Sequence, residues 1–301
     1  MAVTDKQMRL LIIDGHAFAY RAFYAIRGLN SPTGQPTNAI YGFINMLAKL
    51  EAQVLPTHSV VVWDGGLDEG RVEELDDYKA QRDPMPDEME VQLDAMVEYL
   101  EAEGWASVCD DGIEADDRIG QLSRHAEAEG FEVAIASSDK DFLQLINDRV
   151  KMWNPADKSD KSGKPMDAEA VVAKTGVRPE QIVDWLSLVG DSADNIPGVP
   201  GVGVKTAALL LNEFGSVDEL YQNLAKVSPD KLREALAAAD ADVRRNQSLV
   251  ALKLDLPDEP ELDELRRGFQ DSARLEKLFE TWGFSRMLND LREARQGALF
   301  E

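Results

Sequence analysis

Apolar residues fall into two patterns along this chain. Arg9 to Asp14, Ser59 to Asp64 and Val133 to Asp139 are short runs without polar alternation, and each closes on an aspartate. Such runs suit strands buried on both faces, as in a parallel sheet covered by helices. Between them the period lengthens. Ile40, Phe43, Ile44 and Leu47 share one helical face, as do Met89, Leu93, Met96, Val97 and Leu100, and then Ile119, Leu122 and Ala126. Gly104 and Gly130 stand where the second and third helices should stop. Strands alternating with helices predict an α/β fold around a doubly wound, mainly parallel sheet.

Other segments break the pattern. Gly65 to Met89 is poor in aliphatic side chains, rich in charge and contains Pro84-Met85-Pro86, which predicts an exposed excursion. Asn154 to Met166, with Lys158, Lys161, Gly163 and Lys164, reads as a hairpin or surface loop. Beyond residue 168 the pattern is helical, through Pro179 to Val189, Lys205 to Phe214 and a capping-box start at Ser216-Val-Asp-Glu219. The expected division is an α/β domain over 1–175, a helical region over 176–295 and a short tail over 296–301. No internal repeat is evident.

Composition narrows the class. A chain of 301 residues, 44% hydrophobic and 29% charged, can bury one large core or a medium core with a companion, without an obligate partner. We expect a monomer. The early apolar stretch Leu10 to Ile13 is too short for a signal peptide or a membrane span, so the expected place is the cytoplasm, with no membrane partner. Cys109 is the only cysteine, and His16, His58 and His125 make no thiolate or imidazole cluster for zinc. Lys and Arg number 32 against 56 Asp and Glu, a net charge of −24 that opposes nucleic-acid binding. That opposition weakens if some carboxylates hold cations.

In open α/β sheets ligands bind beyond the carboxyl ends of the strands, so Asp14, Asp64 and Asp139 should converge. Unpaired buried carboxylates repel, and a hard divalent ion such as Mg²⁺ or Mn²⁺ resolves this. Surface aspartates capping helices account for one such residue but hardly for three. Gly112-Ile-Glu-Ala-Asp-Asp117 sets Glu114 and Asp117 side by side on a helix, with Asp116 round the corner, although a helix dipole favours first-turn acids in any case. Asp139 and Asp141 point the same way if the chain stays extended there, and Asp191 and Asp194 add a further pair. These nine carboxylates suffice for two metal positions roughly 4 Å apart, one of which would activate water. The glycine-rich run Ile196 to Thr206 lets backbone N–H groups approach a phosphate, the alternative being a tight structural turn. It lacks P-loop spacing.

Asp14-Gly15, Tyr20-Arg-Ala-Phe23, Pro36-Thr-Asn-Ala-Ile-Tyr-Gly42, Tyr78-Lys-Ala-Gln-Arg82, Glu114-Ala-Asp-Asp117, Ser138-Asp-Lys-Asp141 and Gly190 to Thr206 occur in order over nearly the whole chain. Together they resemble the 5′ nuclease family, which includes flap endonucleases and the N-terminal domain of bacterial DNA polymerase I. The resemblance implies a PIN-like fold and a structure-specific 5′-3′ exonuclease or flap endonuclease, cutting DNA with a 5′ end or 5′ flap during primer removal and repair. It implies that Asp14, Asp64, Glu114, Asp116, Asp117, Asp139, Asp141, Asp191 and Asp194 surround two metals. It also implies a helical arch over about 65–111, carrying Tyr78, Lys79 and Arg82. Lys79 and Arg82 can stabilise charge on the scissile phosphate, and Tyr78 can stack on an unpaired base. By the same resemblance Arg21, Arg71, Gly198, Gly201, Gly203, Lys205 and Thr206 meet DNA, the last five in a helix-hairpin-helix element that holds a K⁺ ion. Gln296, Leu299 and Phe300, in Gln296-Gly-Ala-Leu-Phe300, resemble the peptide by which bacterial replication proteins dock on the sliding clamp.

The chain departs from the family at Gly65-Gly-Leu-Asp-Glu-Gly70, where lysines are expected, so the arch entrance should be less basic and DNA affinity weaker. Three rivals remain. An aspartate-nucleophile phosphatase would need an acid at position 16, which is His16; a non-catalytic DNA-binding protein would tolerate loss of an acid, and none is lost. An RNA-directed nuclease would use the same metal chemistry.

Overall fold

The computed structural model describes residues 7–153 and 164–297. Its centre is a five-stranded sheet in the order β3-β2-β1-β4-β5, with every neighbouring pair parallel. Strand β1 is Arg9–Asp14 and runs without a loop into α1, Gly15–Ala25. Helix α2, Asn38–Val54, leads to β2, His58–Trp63. A short helix α3, Glu69–Glu74, and the longer α4, Asp87–Glu103, precede β3, Ala106–Cys109. Helix α5, Ala115–Ala128, returns to β4, Glu132–Ala136, and β5 follows as Val150–Trp153.

The pleat divides the strand residues between two cores. Leu10, Ile12, Val60, Val62, Val133 and Ile135 face α5 and the helical region, whereas Leu11, Ile13, Val61, Trp63, Ala134 and Ala136 face α1, α2 and α4. Both faces are dry, and for that reason the strands read as unbroken apolar runs.

The helical region begins with α6, Ala168–Thr175, and α7, Ile182–Val189. A two-residue ladder, β6 Gly190–Asp191 with β7 Ile196–Pro197, leads into α8, Val204–Phe214. Helices α9, Val217–Gln222, α10, Asp230–Ala238, and α11, Asp240–Val250, complete this part, with the Ser216 hydroxyl capping α9. The side chains of α7 and α11 join the same core as the α5 face of the sheet.

Two boundaries differ from expectation. Residues 87–109 belong to the body, because Met89, Met96 and Leu100 on α4 are fully buried and β3 is a sheet strand. An arch can therefore occupy only the segment between β2 and α4, where α3 packs beside α11. At the other end, α12, Ser272–Trp282, and α13, Ser285–Gly297, return to the α/β part, with Leu275, Phe279 and Trp282 joining the core on the α2 and α4 side. The helical region thus ends with α11 at Val250 rather than near 295, since residues 251–268 already bond to α5, β2 and the end of α4.

Candidate metal-dependent active site

The acids converge where the parallel strands end. Asp14 closes β1 and caps α1, accepting from the Ala17 N–H at 3.1 Å and from the Ser137 hydroxyl at 2.8 Å. Ser137 also accepts from the Asp139 N–H, and the Asp139 carboxylate accepts from the Asp141 N–H at 2.9 Å. The extended backbone that would point both acids the same way is absent, since Lys140 is helical and Asp141 opens a 3₁₀ turn. Asp64 follows β2, and its N–H donates to His16 Nδ1 at 3.1 Å. Asp191 and Asp194 come from the β6–β7 turn, so the pocket is shared between strand ends and the helical region. Asp141, Asp191 and Asp194 each offer an oxygen within 4.8 Å of the others.

Electrostatics identifies the closely coupled members. Burial, reinforced by the charges of Asp139 and Asp64, pushes the Asp14 carboxyl up to about 6. Asp116 is driven well above the carboxylate range by burial and then by Asp139, Asp14 and Asp141. Asp139 is raised by burial and by Asp194 and Asp191, and Asp141 by burial and by Asp139, Asp191 and Asp194. Asp141 Oδ1 is buried without a hydrogen-bond partner. A buried lone pair among mutually repelling carboxylates fits an oxygen-seeking divalent cation, and the described residues of the pocket offer no thiolate.

Two expected ligands face elsewhere. Glu114 and Asp117 share a helix face as expected, and that face meets Arg71. Arg71 binds Asp117 with both terminal nitrogens, at 2.7 and 2.8 Å, and Glu114 at 3.1 Å. Glu114 also accepts from Lys79 Nζ at 2.6 Å and from the Tyr78 hydroxyl at 3.2 Å. The two carboxylates are internal counter-ions, and Asp116, on the other side of α5, is the member of this group that meets the remaining acids.

The basic residues also lie differently from expectation. Arg71, expected at the DNA surface, is 3% exposed and committed to Glu114 and Asp117, so it braces the site from within. Tyr78 is equally buried and offers no free stacking face; Lys79 Nζ lies 4.9 Å from its ring centroid. Lys79 takes a left-handed φ of 54°, is buried, and sits 4.0 Å from Asp194 as well as on Glu114. The Arg82 side chain stays 47% exposed while binding Asp194 at 2.7 Å, which makes it the accessible cation of this group. Arg21 is half-buried on α1.

Three features escaped the sequence reading. Lys140 reaches Asp191 at 2.9 Å, from between two acids already in view. Ser137 orders Asp14 and Asp139 together, a role that its neighbour Ser138 in the motif does not reveal. Tyr20 and Tyr24 stack with centroids 6.4 Å apart on α1, and Tyr24 is 66% exposed, so the free aromatic surface lies there rather than on Tyr78.

Between α7 and α8 the hairpin glycines have distinct reasons. A Cβ on Gly198 would lie 2.1 Å from the Val189 carbonyl oxygen, so glycine there permits close backbone packing. Gly201, at φ +85°, and Gly203 instead face open space at the start of α8, beside exposed Lys205 and half-buried Thr206. Among the clamp-peptide residues, Gln296 is exposed at the end of α13, and Leu299 and Phe300 lie outside the described residues.

Comparison with known proteins agrees with this fold. Residues 9–176 match the 5′-3′ exonuclease N-terminal resolvase-like domain, and residues 177–273 match the 5′-3′ exonuclease C-terminal SAM fold. A 5′-3′ exonuclease of Aquifex aeolicus is 37% identical over 97% of this chain and 99% of its own length. DNA polymerase I of Bacillus caldotenax is 38% identical over 94% of this chain and 32% of its own, so the chain spans about a third of such polymerase relatives. In fold, the chain is similar to the bacteriophage T5 D15 flap endonuclease in a complex with DNA and metal ions, with a TM-score of 0.66 at 21% identity, over 95% of this chain and 98% of that one. The parallel sheet, the acid pocket at its carboxyl edge and two consecutive domain matches lead to one conclusion: this chain belongs to the 5′-3′ exonuclease family of nucleases.

Proposed function

We propose that this chain hydrolyses DNA phosphodiesters near a 5′ end or 5′ flap, using two divalent ions held by Asp14, Asp64, Asp116, Asp139, Asp141, Asp191 and Asp194. The observation that carries the proposal is the partnerless Asp141 Oδ1 amid repelling carboxylates beyond the strand ends. Mg²⁺ or Mn²⁺ is the ion chosen by an all-oxygen donor set, and when bound it supplies a nucleophile near neutral pH and charge stabilisation at the scissile phosphate.

The chain's own residues do the rest. Arg82 can leave Asp194 for a phosphate oxygen because its side chain is half-exposed. Lys79 reaches the same space from behind, anchored through Glu114. Tyr20 and Tyr24 present a stacking surface to an unpaired base, as the aromatic platforms of single-strand binders do. The open backbone at Gly201 and Gly203, with Lys205 and Thr206, grips duplex phosphates and can hold a K⁺ ion. The products would carry a 5′-phosphate and a 3′-hydroxyl, and the task would be primer or flap removal in a reducing cytoplasm. Attachment of the 296–301 tail to a sliding clamp would raise the local concentration of an enzyme whose net charge opposes DNA.

The decisive test is incubation of a 5′-labelled flap duplex with the protein and Mg²⁺, with chelator, and with Asp116→Asn. Cleavage that needs Mg²⁺ and disappears in the variant supports the proposal; equal cutting by variant and parent overturns the site assignment.

A further inference from the structure

The acid pocket has two halves on separate elements, and one chain segment grips both. Asp191 ends β6 and Asp194 lies in the turn that follows, within a ladder that pairs Gly190 with Pro197 and Asp191 with Ile196. Asn246, on α11 and 1% exposed, donates one side-chain N–H to the Ser187 carbonyl at 3.1 Å and the other to the Pro197 carbonyl at 2.7 Å. Those two carbonyls flank the acid-bearing turn on its two sides. Both amide hydrogens are thereby spent on fixing where Asp191 and Asp194 stand.

The same segment continues as a strap across α5. The Val250 carbonyl and the Leu252 N–H are held by Gln144, which follows Asp141 in the 3₁₀ turn. The Ala251 carbonyl accepts from Arg71, and the Lys253 N–H donates to Asp117 at 2.8 Å. Farther on, Gln121 holds the Leu256 carbonyl and Arg118 the Pro257 carbonyl. Residues 246–257 therefore hold the two flanks of the acid-bearing turn at one end, and at the other the helix that carries Asp116. Leu252 and Leu254 seat the strap against Gly120, where a Cβ would come within 2.9 Å of Leu254.

We infer that residues 246–257 are a brace that sets the spacing of the two halves of the metal pocket, with Asn246 as the positioning residue for Asp191 and Asp194. This rests on the reading of those two aspartates as metal ligands. Three carboxylate oxygens within 4.8 Å bind one ion cooperatively only if the turn is prevented from drifting toward solvent. Asn246 touches neither the ion nor the substrate, so its loss weakens metal binding and leaves the chemistry of a filled pocket intact.

The test is calorimetric titration of the DNA-free protein with Mn²⁺, for the parent and for Asn246→Ala, Asn246→Ser, Asp191→Asn and Gln247→Ala. Gln247 is the neighbour of Asn246 and ties α11 to Asp184 on α7 without touching the turn, so it controls for helix packing. Asn246→Ala should weaken one Mn²⁺ binding event by roughly 10-fold or more, the range for outer-shell partners of metal ligands. Asn246→Ser, which keeps a hydroxyl donor, should fall between and provides the measurement if the alanine variant does not fold. In cleavage assays the Mg²⁺ concentration for half-maximal rate should rise in parallel, with kcat restored at saturating Mg²⁺ and KM for DNA unchanged. A folded Asn246 variant with the parent's isotherm, or an equal loss in Gln247→Ala, overturns the brace. If Asp191→Asn itself leaves both binding events intact, the ligand assignment fails instead.

Discussion

Arg71 illustrates how a single residue makes the site possible. It is buried against Glu114 and Asp117 and also donates to the Ala251 carbonyl, so its removal leaves Asp117 without a cation in a dry interior, while Glu114 keeps Lys79. Breaking such a pair by deleting one partner typically costs about 3–5 kcal/mol. Arg71→Met should lose stability in that range by urea denaturation, and Arg71→Lys should recover only part of it, because an ammonium cannot match the two-pronged contact with Asp117. Asp14 yields a prediction in pH. Its carboxyl is raised from 3.8 to about 6, so the neutral form is favoured by folding; its contribution to stability is complete below 3.8 and is lost as the pH rises through 6. The metal-free protein should therefore lose this contribution across that window, and Asp14→Asn should flatten the thermal-melt profile between those limits. Divalent ion competes with the same proton, so metal affinity should climb with pH over that interval, and go on climbing while Asp116 and Asp141, which burial and neighbouring acids also raise, lose theirs.

At the scale of elements, the hairpin between α7 and α8 separates folding from binding. Gly198→Ala must push the Val189 carbonyl aside, and overpacking of this kind costs about 1–3 kcal/mol. Its melting point should fall, and Mn²⁺ affinity with it, since Gly190 and the acid turn lie against the same backbone. Lys205→Ala should leave the melting point alone, weaken duplex binding and lower the slope of log K against log salt by about 1. The same scale shows how much could be read from residues alone. β1, β2, β4, α2, α4 and α5 were legible because each buries a continuous run or a full helical stripe. β3 and β5 were not, being four-residue edge strands whose half-buried positions, such as Ser107 and Lys151, break the apolar run. α1 was hidden because it begins at Gly15, directly behind the strand, with no loop to announce it. Asp14, Asp64 and Asp139 were legible from their strand ends and the other acids from their motifs, but the departure of Glu114 and Asp117 depends on Arg71, forty-three residues from Glu114 in sequence, and no local spacing encodes that partnership.

For the molecule as a whole, the net charge of −24 and the clustering of acids predict that the proposed DNA affinity depends on cation loading. Binding of a flap duplex measured with Ca²⁺ present should be tighter than with chelator at equal ionic strength, and an unchanged Kd would show that the pocket charge does not face the substrate. Removal of residues 296–301 should abolish capture by a sliding clamp while leaving cleavage of short flap substrates at the parent rate. No helix among the described residues is long and apolar enough to cross a membrane. The return of α12 and α13 to the α4 side ties the end of the chain to its first half, so unfolding of this end should be felt by the sheet. The division of the pocket between strand ends and the β6–β7 turn also has a meaning in time. A chain emerging from the ribosome presents Asp14, Asp64 and Asp139 well before Asp191 and Asp194 are made, so the acid pocket cannot close until the β6–β7 turn has been synthesised.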